Sequence, residues 1–304
     1  MARPRPLRTL AWGAVAAGVV VPLLRHRLRA PRLAVSAIAW QTPLAVALAM
    51  PPSGVRQAAL YGAQMWAYFV HYDMPDDDLD ALLTRLRVDY PIRADRVLGL
   101  GEEPTVRLQR SLGVPGEVHG LDVALSIVHW SWFAVPHGTI FYVLLRHPRR
   151  LPRAAARMAA CFDLGLVFYW AVPTAPPWWA GANGNMAPVR RIMAEAGARV
   201  WGRVWPPLYH SVEGNPFAAM PSLHFGTSVM AARVLSEVGR GLGVLGWAYA
   251  LTLGFGLVYL GEHYVVDLLA GLALAETVNR VAPSVEPLAR SLGEMVHRLD
   301  PGAR

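Results

Sequence analysis

The chain has 304 residues, of which 54% are hydrophobic and only 16% are charged. Soluble domains carry about 25% charged residues, so this deficit, together with long apolar runs, indicates an all-α, polytopic helical membrane protein. The formal net charge of +8 comes from arginine alone, because the sequence contains no lysine. Mechanisms that need a lysine Schiff base or a lysine bound to phosphate are therefore excluded. The single cysteine, Cys161, excludes an intrachain disulfide and cysteine-based zinc sites.

The apolar runs predict seven membrane-spanning helices, each near the roughly 20 residues that a bilayer crossing takes. These runs cover residues 9–24, 33–50, 123–145, 157–173, 220–236, 242–260 and 263–281. The first run lacks an Ala-x-Ala-like cleavage site, so we expect an uncleaved span rather than a signal peptide. A further stretch, 58–70, is apolar on one side only and is predicted to lie in the interface plane.

The chain reads as one structural domain, because it contains no internal repeat and no low-complexity linker. We expect it to divide into N-terminal spans with interfacial and extracytoplasmic helices (1–122), a catalytic helical core (123–281) and a C-terminal tail (282–304). The excess of arginine fits cytoplasmic loops and anionic lipid headgroups, and no nucleic-acid-binding module is recognisable. The expected location is the cell membrane.

Arginine clusters predict the orientation, because positive residues favour the cytoplasmic side. They lie in three connections between spans: Arg25, Arg27, Arg29 and Arg32; Arg146, Arg149, Arg150, Arg153 and Arg157; Arg233 and Arg240. Seven spans put all three connections on one side, which leaves the segments 51–122 and 174–219 outside. Arg3, Arg5 and Arg8 contradict this orientation unless the first run is a half-span or a hairpin.

Two histidines are expected to meet at the extracytoplasmic face. His224 begins one apolar run and His263 begins the next but one, with one span down, a tight turn and one span back between them. Asp267 follows His263 by four residues and therefore shares its helix face. It can orient the ring and leave the other nitrogen as a nucleophile. His224 can then protonate the leaving oxygen. This arrangement predicts phosphoryl transfer through phosphohistidine.

The residues around these histidines suggest how a phosphate is held. Pro221 suits the first position of a helix, and Ser222 then offers a hydroxyl and an N–H to phosphate oxygens. A helix N-terminus near His263 would add to this attraction. We expect no metal and no cofactor, although two histidines and an aspartate also resemble a metal triad. His129 and His137, inside the third span, either line a polar cavity or are core histidines.

The two motifs, Ala219-Met220-Pro221-Ser222-Leu223-His224 and His263-Tyr264-Val265-Val266-Asp267, resemble the second and third signatures of the type 2 phosphatidic acid phosphatase superfamily. The resemblance covers roughly residues 120–281. It implies a metal-independent, six-helix core, here with an extra N-terminal span or hairpin. It also implies His263 as nucleophile, Asp267 as its orienting partner and His224 as acid and base.

The departures from the family pattern point to one branch. No lysine-based first motif can exist, and Leu257 stands where an arginine usually precedes the third-motif histidine. Leu223 in the second motif and the segment Thr174–Trp178 look more like the inositol phosphorylceramide synthase branch, which moves a phospho-headgroup between lipids. Arg190 and Arg191 are the candidates for binding phosphate by loop position. The remaining expected substrate contacts are Trp178, Asn215 and Tyr264.

Three functions remain open at this point. The first is a lipid phosphotransferase, and the second is a lipid or polyprenyl phosphate phosphatase with the same chemistry. They differ in whether an alcohol or water attacks the phosphohistidine. The third is a non-catalytic membrane scaffold, which would gain nothing from these polar groups in a span. The expected partners are therefore a lipid substrate and the membrane.

Overall fold

The computed structural model describes residues 5–74, 78–212 and 214–298. Over these residues the chain forms helices joined by turns and loops, with no strand beyond two isolated parallel bridges, Arg87–Thr174 and Thr174–Ala218. The prediction of an all-α polytopic membrane protein is confirmed. Three of the described helical segments are long and apolar enough to cross a bilayer: Arg32–Ala49, Pro148–Ala171 and Arg240–Tyr259.

The helices follow one another along the chain with short connections. The first eight are α1 (Arg5–Leu23), α2 (Arg25–Leu28), α3 (Arg32–Trp40), α4 (Thr42–Ala49), α5 (Gly54–Asp73), α6 (Leu79–Leu83), α7 (Asp89–Leu98) and α8 (Pro104–Leu112). The next nine are α9 (Gly120–Trp130), α10 (Val135–Arg146), α11 (Leu151–Ala171), α12 (Pro177–Ala182), α13 (Ile192–Trp201), α14 (Trp205–Val212), α15 (Leu223–Val238), α16 (Arg240–Tyr259) and α17 (Val265–Arg298).

All seven predicted spans are helical, but two of them are interrupted. The run 33–50 divides into α3 and α4, where Pro43 lies in the first turn of α4. The run 123–145 divides into α9 and α10, with a short 3-10 turn between them and Pro136 in the first turn of α10. A proline lacks the N–H and its ring clashes with the carbonyl four residues earlier, so a continuous helix is disfavoured at both places.

The described residues form two compact units, and the first contains residues 1–74, 140–160 and 277–304. In it α1 packs against α3 and α4, and α5 packs against the same two helices. Ser36 in the middle of α3 contacts Met74 just after α5, so α5 runs antiparallel to α3 and α4. Its 20 residues rise about 30 Å. This length is enough to cross a bilayer, but α5 is not one of the three segments that are also apolar enough. The interface placement expected for residues 58–70 stays a prediction.

The two ends of α5 identify which connections of this unit lie at the same end. At its C-terminal end, Arg25 pairs with Asp73 at 2.9 Å. At its N-terminal end, Gly54 packs against Leu144. The arginine-rich connections before α3 and after α10 therefore lie at opposite ends of α5. Whether these connections share one side of the membrane depends on the orientation of α5, and the prediction that they do stays a prediction.

The second unit contains residues 75–139 and 161–276. Its centre is an antiparallel hairpin of α15 and α16, joined at Gly239, with α9 packed on α16 and α13 packed on α9. The helices α15 and α17 approach closely at Gly226 and Gly271, where a β-carbon on Gly226 would lie 2.9 Å from the carbonyl oxygen of Gly271. Both histidine motifs lie in this unit. The expected division at residues 122/123 and 281/282 stays a prediction.

Candidate active site

His224 and His263 are in direct contact at one end of the α15–α16 hairpin. The Nδ1 atom of His224 lies 3.2 Å from Nε2 of His263, within hydrogen-bonding distance. His224 is the second residue of α15, and His263 lies in the turn between α16 and α17. Because the hairpin returns the chain to its starting end, the two residues meet although 39 positions separate them.

Asp267 holds the other side of the His263 ring. Its Oδ2 atom lies 3.2 Å from Nδ1 of His263 and accepts a second hydrogen bond, of 2.9 Å, from the N–H of Tyr264. Asp267 is fully buried and His263 is 4% exposed. A carboxylate on Nδ1 favours the tautomer with its proton there, which leaves Nε2 as a lone pair directed at His224. The Asp267–His263–His224 series can thus supply a nucleophile and an acid-base group.

Ser222 connects the two motifs through its backbone. Its N–H donates to the carbonyl oxygen of Asp267 at 2.9 Å, and its hydroxyl accepts from the N–H of Phe225 at 3.3 Å. The residue is fully buried and is the N-cap of α15. The N–H that was expected to bind phosphate therefore already has an acceptor. Pro221 lies one position before the N-cap, not at the first helical position, and its carbonyl accepts from the Tyr169 hydroxyl.

The N-terminus of α17 is also occupied by protein groups. The N–H of Tyr264 donates to Asp267, and the N–H groups of Val265 and Val266 donate to the two carboxylate oxygens of Asp95, each at 2.9 Å. Asp95 lies in α7 and is fully buried. Its burial raises its pKa to about 6, although both hydrogen bonds act in the opposite direction. A phosphate would have to displace these carboxylates to bind at the start of α17.

The two candidate arginines have different surroundings. Arg191 stacks on the Trp178 ring, with its guanidinium carbon 3.8 Å from the ring centroid, and its Nε lies 3.3 Å from Glu262, the residue before His263. Arg190 pairs with Glu195 and donates to the carbonyl oxygens of Val114 and Glu117. Arg191 therefore lies at the edge of the site, whereas the guanidinium group of Arg190 is bound by residues outside it. Phosphate binding by either residue stays a prediction.

The three expected substrate contacts are also separated. Trp178 is half-buried beside Arg191 and lies close to the site. The Tyr264 hydroxyl points into a core cluster and contacts Met186. Asn215 is buried and its side-chain oxygen accepts from the N–H of Phe217 in its own loop. The Trp178 side chain lies beside Arg191 at the edge of the site, whereas the side chains of Tyr264 and Asn215 are engaged elsewhere. A substrate role for all three stays a prediction.

Two further residues contact His224 and were not predicted as site residues. The His129 ring lies 4.9 Å from the His224 ring, and the Trp132 ring lies 4.3 Å from it on centroid distances. The Trp132 indole N–H donates to Thr227 at 2.9 Å. Both residues come from the interrupted third span, where the sequence places polar and aromatic residues without a motif. In the part of the chain that the structure describes, no group of three metal-ligating side chains has the geometry of a metal site.

Residues 92–278, more than half of the chain, match the sequence model of the PAP2 superfamily. The chain therefore belongs to this superfamily, and the matched residues include both histidine motifs. The recognition from the two motifs alone is confirmed.

The curated relatives belong to one kind of enzyme. The chain is 28% identical over 162 residues to the inositol phosphorylceramide synthase catalytic subunit of Schizosaccharomyces pombe, covering 50% of this chain and 38% of that protein. It is 29% identical over 158 residues to the inositol phosphorylceramide synthase of Candida albicans (50% and 33%). It is 27% identical over 176 residues to the phosphoinositol dihydroceramide synthase of Bacteroides thetaiotaomicron (51% and 53%). The chain thus spans a third to about half the length of these relatives. No solved structure matches it.

Proposed function

We propose that the protein is a membrane-embedded lipid phosphotransferase that moves a phospho-headgroup from a donor lipid to an acceptor alcohol through phosphohistidine. The observation that carries this proposal is the hydrogen-bonded series of Asp267, His263 and His224. The Asp267 carboxylate is held by the N–H of Tyr264, and the His224 ring packs against the rings of His129 and Trp132. A non-catalytic scaffold has no use for a buried carboxylate that orients an imidazole in a membrane protein.

In the first half-reaction, Nε2 of His263 attacks phosphorus and the bond between phosphorus and the donor's leaving oxygen breaks. Asp267 stabilises the positive charge that develops on the His263 ring. His224, protonated, gives its proton to the leaving oxygen, which departs as an alcohol. The products are an N-phosphorylated His263, a free alcohol and a neutral His224.

In the second half-reaction, neutral His224 takes the proton from the acceptor hydroxyl while that oxygen attacks phosphorus. The bond between phosphorus and Nε2 breaks, and its electron pair returns to His263. The acceptor leaves as a phosphodiester or phosphomonoester, and His224 is again protonated. If water takes the place of the acceptor, the same steps give free phosphate or a headgroup phosphate, which is the phosphatase reaction.

The direct contact between His224 and His263 belongs to the site without a bound phosphate. In-line displacement places the entering nitrogen and the leaving oxygen on opposite sides of phosphorus. A phosphate must therefore separate Nδ1 of His224 from Nε2 of His263, which are 3.2 Å apart. We expect the ring of His224 to turn, because it is half-buried while His263 is buried and held by Asp267.

The names of the relatives suggest the substrates. The two fungal relatives are inositol phosphorylceramide synthases, and the bacterial one is a phosphoinositol dihydroceramide synthase. Transfer of phosphoinositol to a ceramide-type alcohol is therefore the first pair of substrates to try. Transfer, rather than hydrolysis, is favoured by these names and by the branch resemblance of the second motif.

The position of α5 supports an extracytoplasmic active site. If α5 crosses the membrane, the chain crosses eight times, and the starts of α1, α5, α11 and α16 lie on one side. That side then receives Arg3, Arg5, Arg8 and the arginines near residues 146–157 and 233–240. It is the cytoplasmic side by the positive-inside rule, so His224 and His263 lie on the other. The conflict caused by the N-terminal arginines in a seven-span topology disappears, whereas Arg25, Arg27, Arg29 and Arg32 then lie on the extracytoplasmic side.

The test uses purified protein in vesicles that contain phosphoinositol lipid labelled with ³²P, together with a ceramide acceptor. We expect label in a new lipid, and a loss of about 10²- to 10⁴-fold in kcat for His224→Ala and Asp267→Asn. His263→Ala should show no transfer, and wild-type protein quenched in alkali should retain label on the protein, because phosphohistidine is stable to base. Asp122→Asn serves as control for Asp267→Asn, because Asp122 is equally buried but bonds to Tyr259 outside the site.

Each outcome of this test has a definite meaning. Label in free inositol phosphate alone means that water is the acceptor, so that the protein hydrolyses the phosphodiester and transfer is refuted. Full transfer by His263→Ala refutes the phosphohistidine mechanism. No movement of label from any donor, by a folded wild-type protein, favours the scaffold.

A further inference from the structure

The buried face of α9 borders the catalytic pair. His129 is 8% exposed and its ring lies 4.9 Å from that of His224, at an angle of 55°. Ser126, three residues earlier on the same helix face, is fully buried. The face of α9 formed by Ser126 and His129 is therefore continuous with the site.

Two polar atoms on this face have no hydrogen-bond partner within the described residues: Nδ1 of His129 and Oγ of Ser126. Buried polar side-chain atoms in native proteins are nearly always paired. Asp122, one turn before Ser126, follows that rule, because it accepts from the Tyr259 hydroxyl and from the N–H of His119. Two unpaired donors on one face, beside a catalytic ring, indicate a place where a ligand supplies the partner.

The phosphate itself lacks donors elsewhere in the site. The chain has no lysine, and Leu257 stands where an arginine is usual. The N–H groups of Ser222, Val265 and Val266 already donate to protein oxygens. Arg191 is the cation that the structure brings close, and one arginine does not satisfy the several oxygens of a phosphodiester. An imidazole N–H and a hydroxyl are donors of the right kind.

We propose that Ser126 and His129 form a subsite for the non-bridging oxygens of the transferred phosphate, which rests on the proposed phosphoryl transfer. His129 donates from Nδ1 and Ser126 from its hydroxyl, and Arg191 supplies the positive charge. The subsite takes over the task that the cationic motifs perform where they are present. It holds the phosphate against the ring of His224 while Nε2 of His263 attacks.

The structure offers a matched control. His137 is also a histidine of the interrupted third span, but it lies in α10. Its ring stacks on that of Phe162, with 5.6 Å between the ring centroids. The variants are His129→Phe, which keeps the ring volume and removes the donor, His129→Asn, which restores a donor near the position of Nδ1, and Ser126→Ala. His137→Phe makes the same chemical change away from His224.

Two measurements are made on each variant in detergent or vesicles. The first is the affinity for orthovanadate, measured by calorimetry. Orthovanadate is an analogue of the phosphoryl group in the transition state of its transfer. The second is the KM and kcat of labelled transfer. A lost hydrogen bond to a charged oxygen weakens binding about 10- to 100-fold. We expect that loss in vanadate affinity and in kcat/KM for His129→Phe, a smaller loss for Ser126→Ala, partial recovery for His129→Asn and no change for His137→Phe.

The thermal stability of the ligand-free variants separates a binding role from a packing role. Removing an unpaired buried donor should leave the melting temperature of His129→Phe equal to that of the wild type or above it. A lower melting temperature with unchanged vanadate affinity means that His129 is a core residue with a bound water, and overturns the subsite.

The subsite and the proposed function fail in different ways. Wild-type protein that binds no vanadate, or His129→Phe that binds it as tightly as the wild type, overturns the subsite even if labelled lipid is made. Vanadate binding that depends on His129, without transfer to any lipid or water, supports the subsite and overturns the lipid phosphotransferase.

Discussion

The carboxylate of Asp95 caps α17, the helix that follows His263: its Oδ1 atom accepts a 2.9 Å hydrogen bond from the N–H of Val266. The companion bond, from Val265 to Oδ2, has the same length. Asp95 thus joins α7, in the polar segment between α5 and α9, to the first turn of α17. Because His263 immediately precedes this turn, we infer that Asp95 is a positioning residue for the nucleophile.

Asp95→Asn should reduce both stability and kcat. The carboxyl group keeps an oxygen opposite each of the two N–H groups in either protonation state, whereas the amide places an NH2 group opposite one of them. That N–H of α17 loses its acceptor, at a cost of about 1–3 kcal/mol. The measurement is the melting temperature by tryptophan fluorescence together with the rate of label transfer. Asp89→Asn, in the exposed first turn of the same helix, is the control and should change neither. Equal effects of the two substitutions would contradict a special role for Asp95.

The pH dependence of stability tests the direction in which folding shifts the pKa of Asp95. Burial raises its pKa from 3.8 to about 6, so folding favours the protonated form. The resulting contribution to stability is complete below pH 3.8 and is lost as the pH rises through 6. The difference in melting temperature between wild type and Asp95→Asn should therefore be largest near pH 4 and smaller at pH 7. A difference that grows with pH would show that the folded pKa is lowered instead.

Ser222→Ala distinguishes a helix cap from a phosphate ligand. The hydroxyl accepts from Phe225 and the N–H is bound to Asp267, so we expect a loss of about 1 kcal/mol in stability and no change in KM. Ser53→Ala removes the corresponding cap of α5 and should cost a similar amount. A rise in KM for Ser222→Ala alone would support the role in phosphate binding that the sequence predicts.

The pair Arg190 and Arg191 allows the candidate cations to be compared in adjacent positions. Arg191→Gln removes the charge beside Glu262 and His263, and we expect KM for the phosphorylated donor to rise about 10- to 100-fold, as for a charged hydrogen bond. Arg190→Gln should lower the melting temperature without that rise in KM, because its partners are Glu195 and two carbonyls. The reverse pattern would assign phosphate binding to Arg190.

The sequence predicts the helices and the catalytic pair for reasons that are local. An apolar run of about 20 residues is a signal contained in the run itself, and the spacing between His263 and Asp267 is the spacing of one helix face. The contact between His224 and His263 follows from the two antiparallel spans between them, which return the chain to the end where it began. The breaks at Pro43 and Pro136 could have been predicted from proline alone.

The remaining features depend on contacts that no local pattern reveals. Asp95 and Val265 are 170 positions apart, and nothing near Asp95 differs from an ordinary helix. The adjacent residues Arg190 and Arg191 have the same sequence context, and only the fold directs one toward Glu262. The one-sided apolarity of residues 58–70 suggested an interface helix, because the polar face of α5, with Gln57 and Gln64, lines a groove within the first unit.

The opposite ends of α5 lead to a topology that single cysteines can test. Cys161 is buried, so Cys161→Ala gives a background without thiols, to which Arg27→Cys, Arg149→Cys or Asn185→Cys is added. In intact cells a membrane-impermeant maleimide should label positions 27 and 185, and label position 149 only after lysis, because Arg25 lies at the Asp73 end of α5 and Leu144 at the Gly54 end. Seven spans with α5 in the interface predict the same accessibility for positions 27 and 149. Labelling of both from one side would therefore return α5 to the interface and remove the support that eight crossings give to an extracytoplasmic active site.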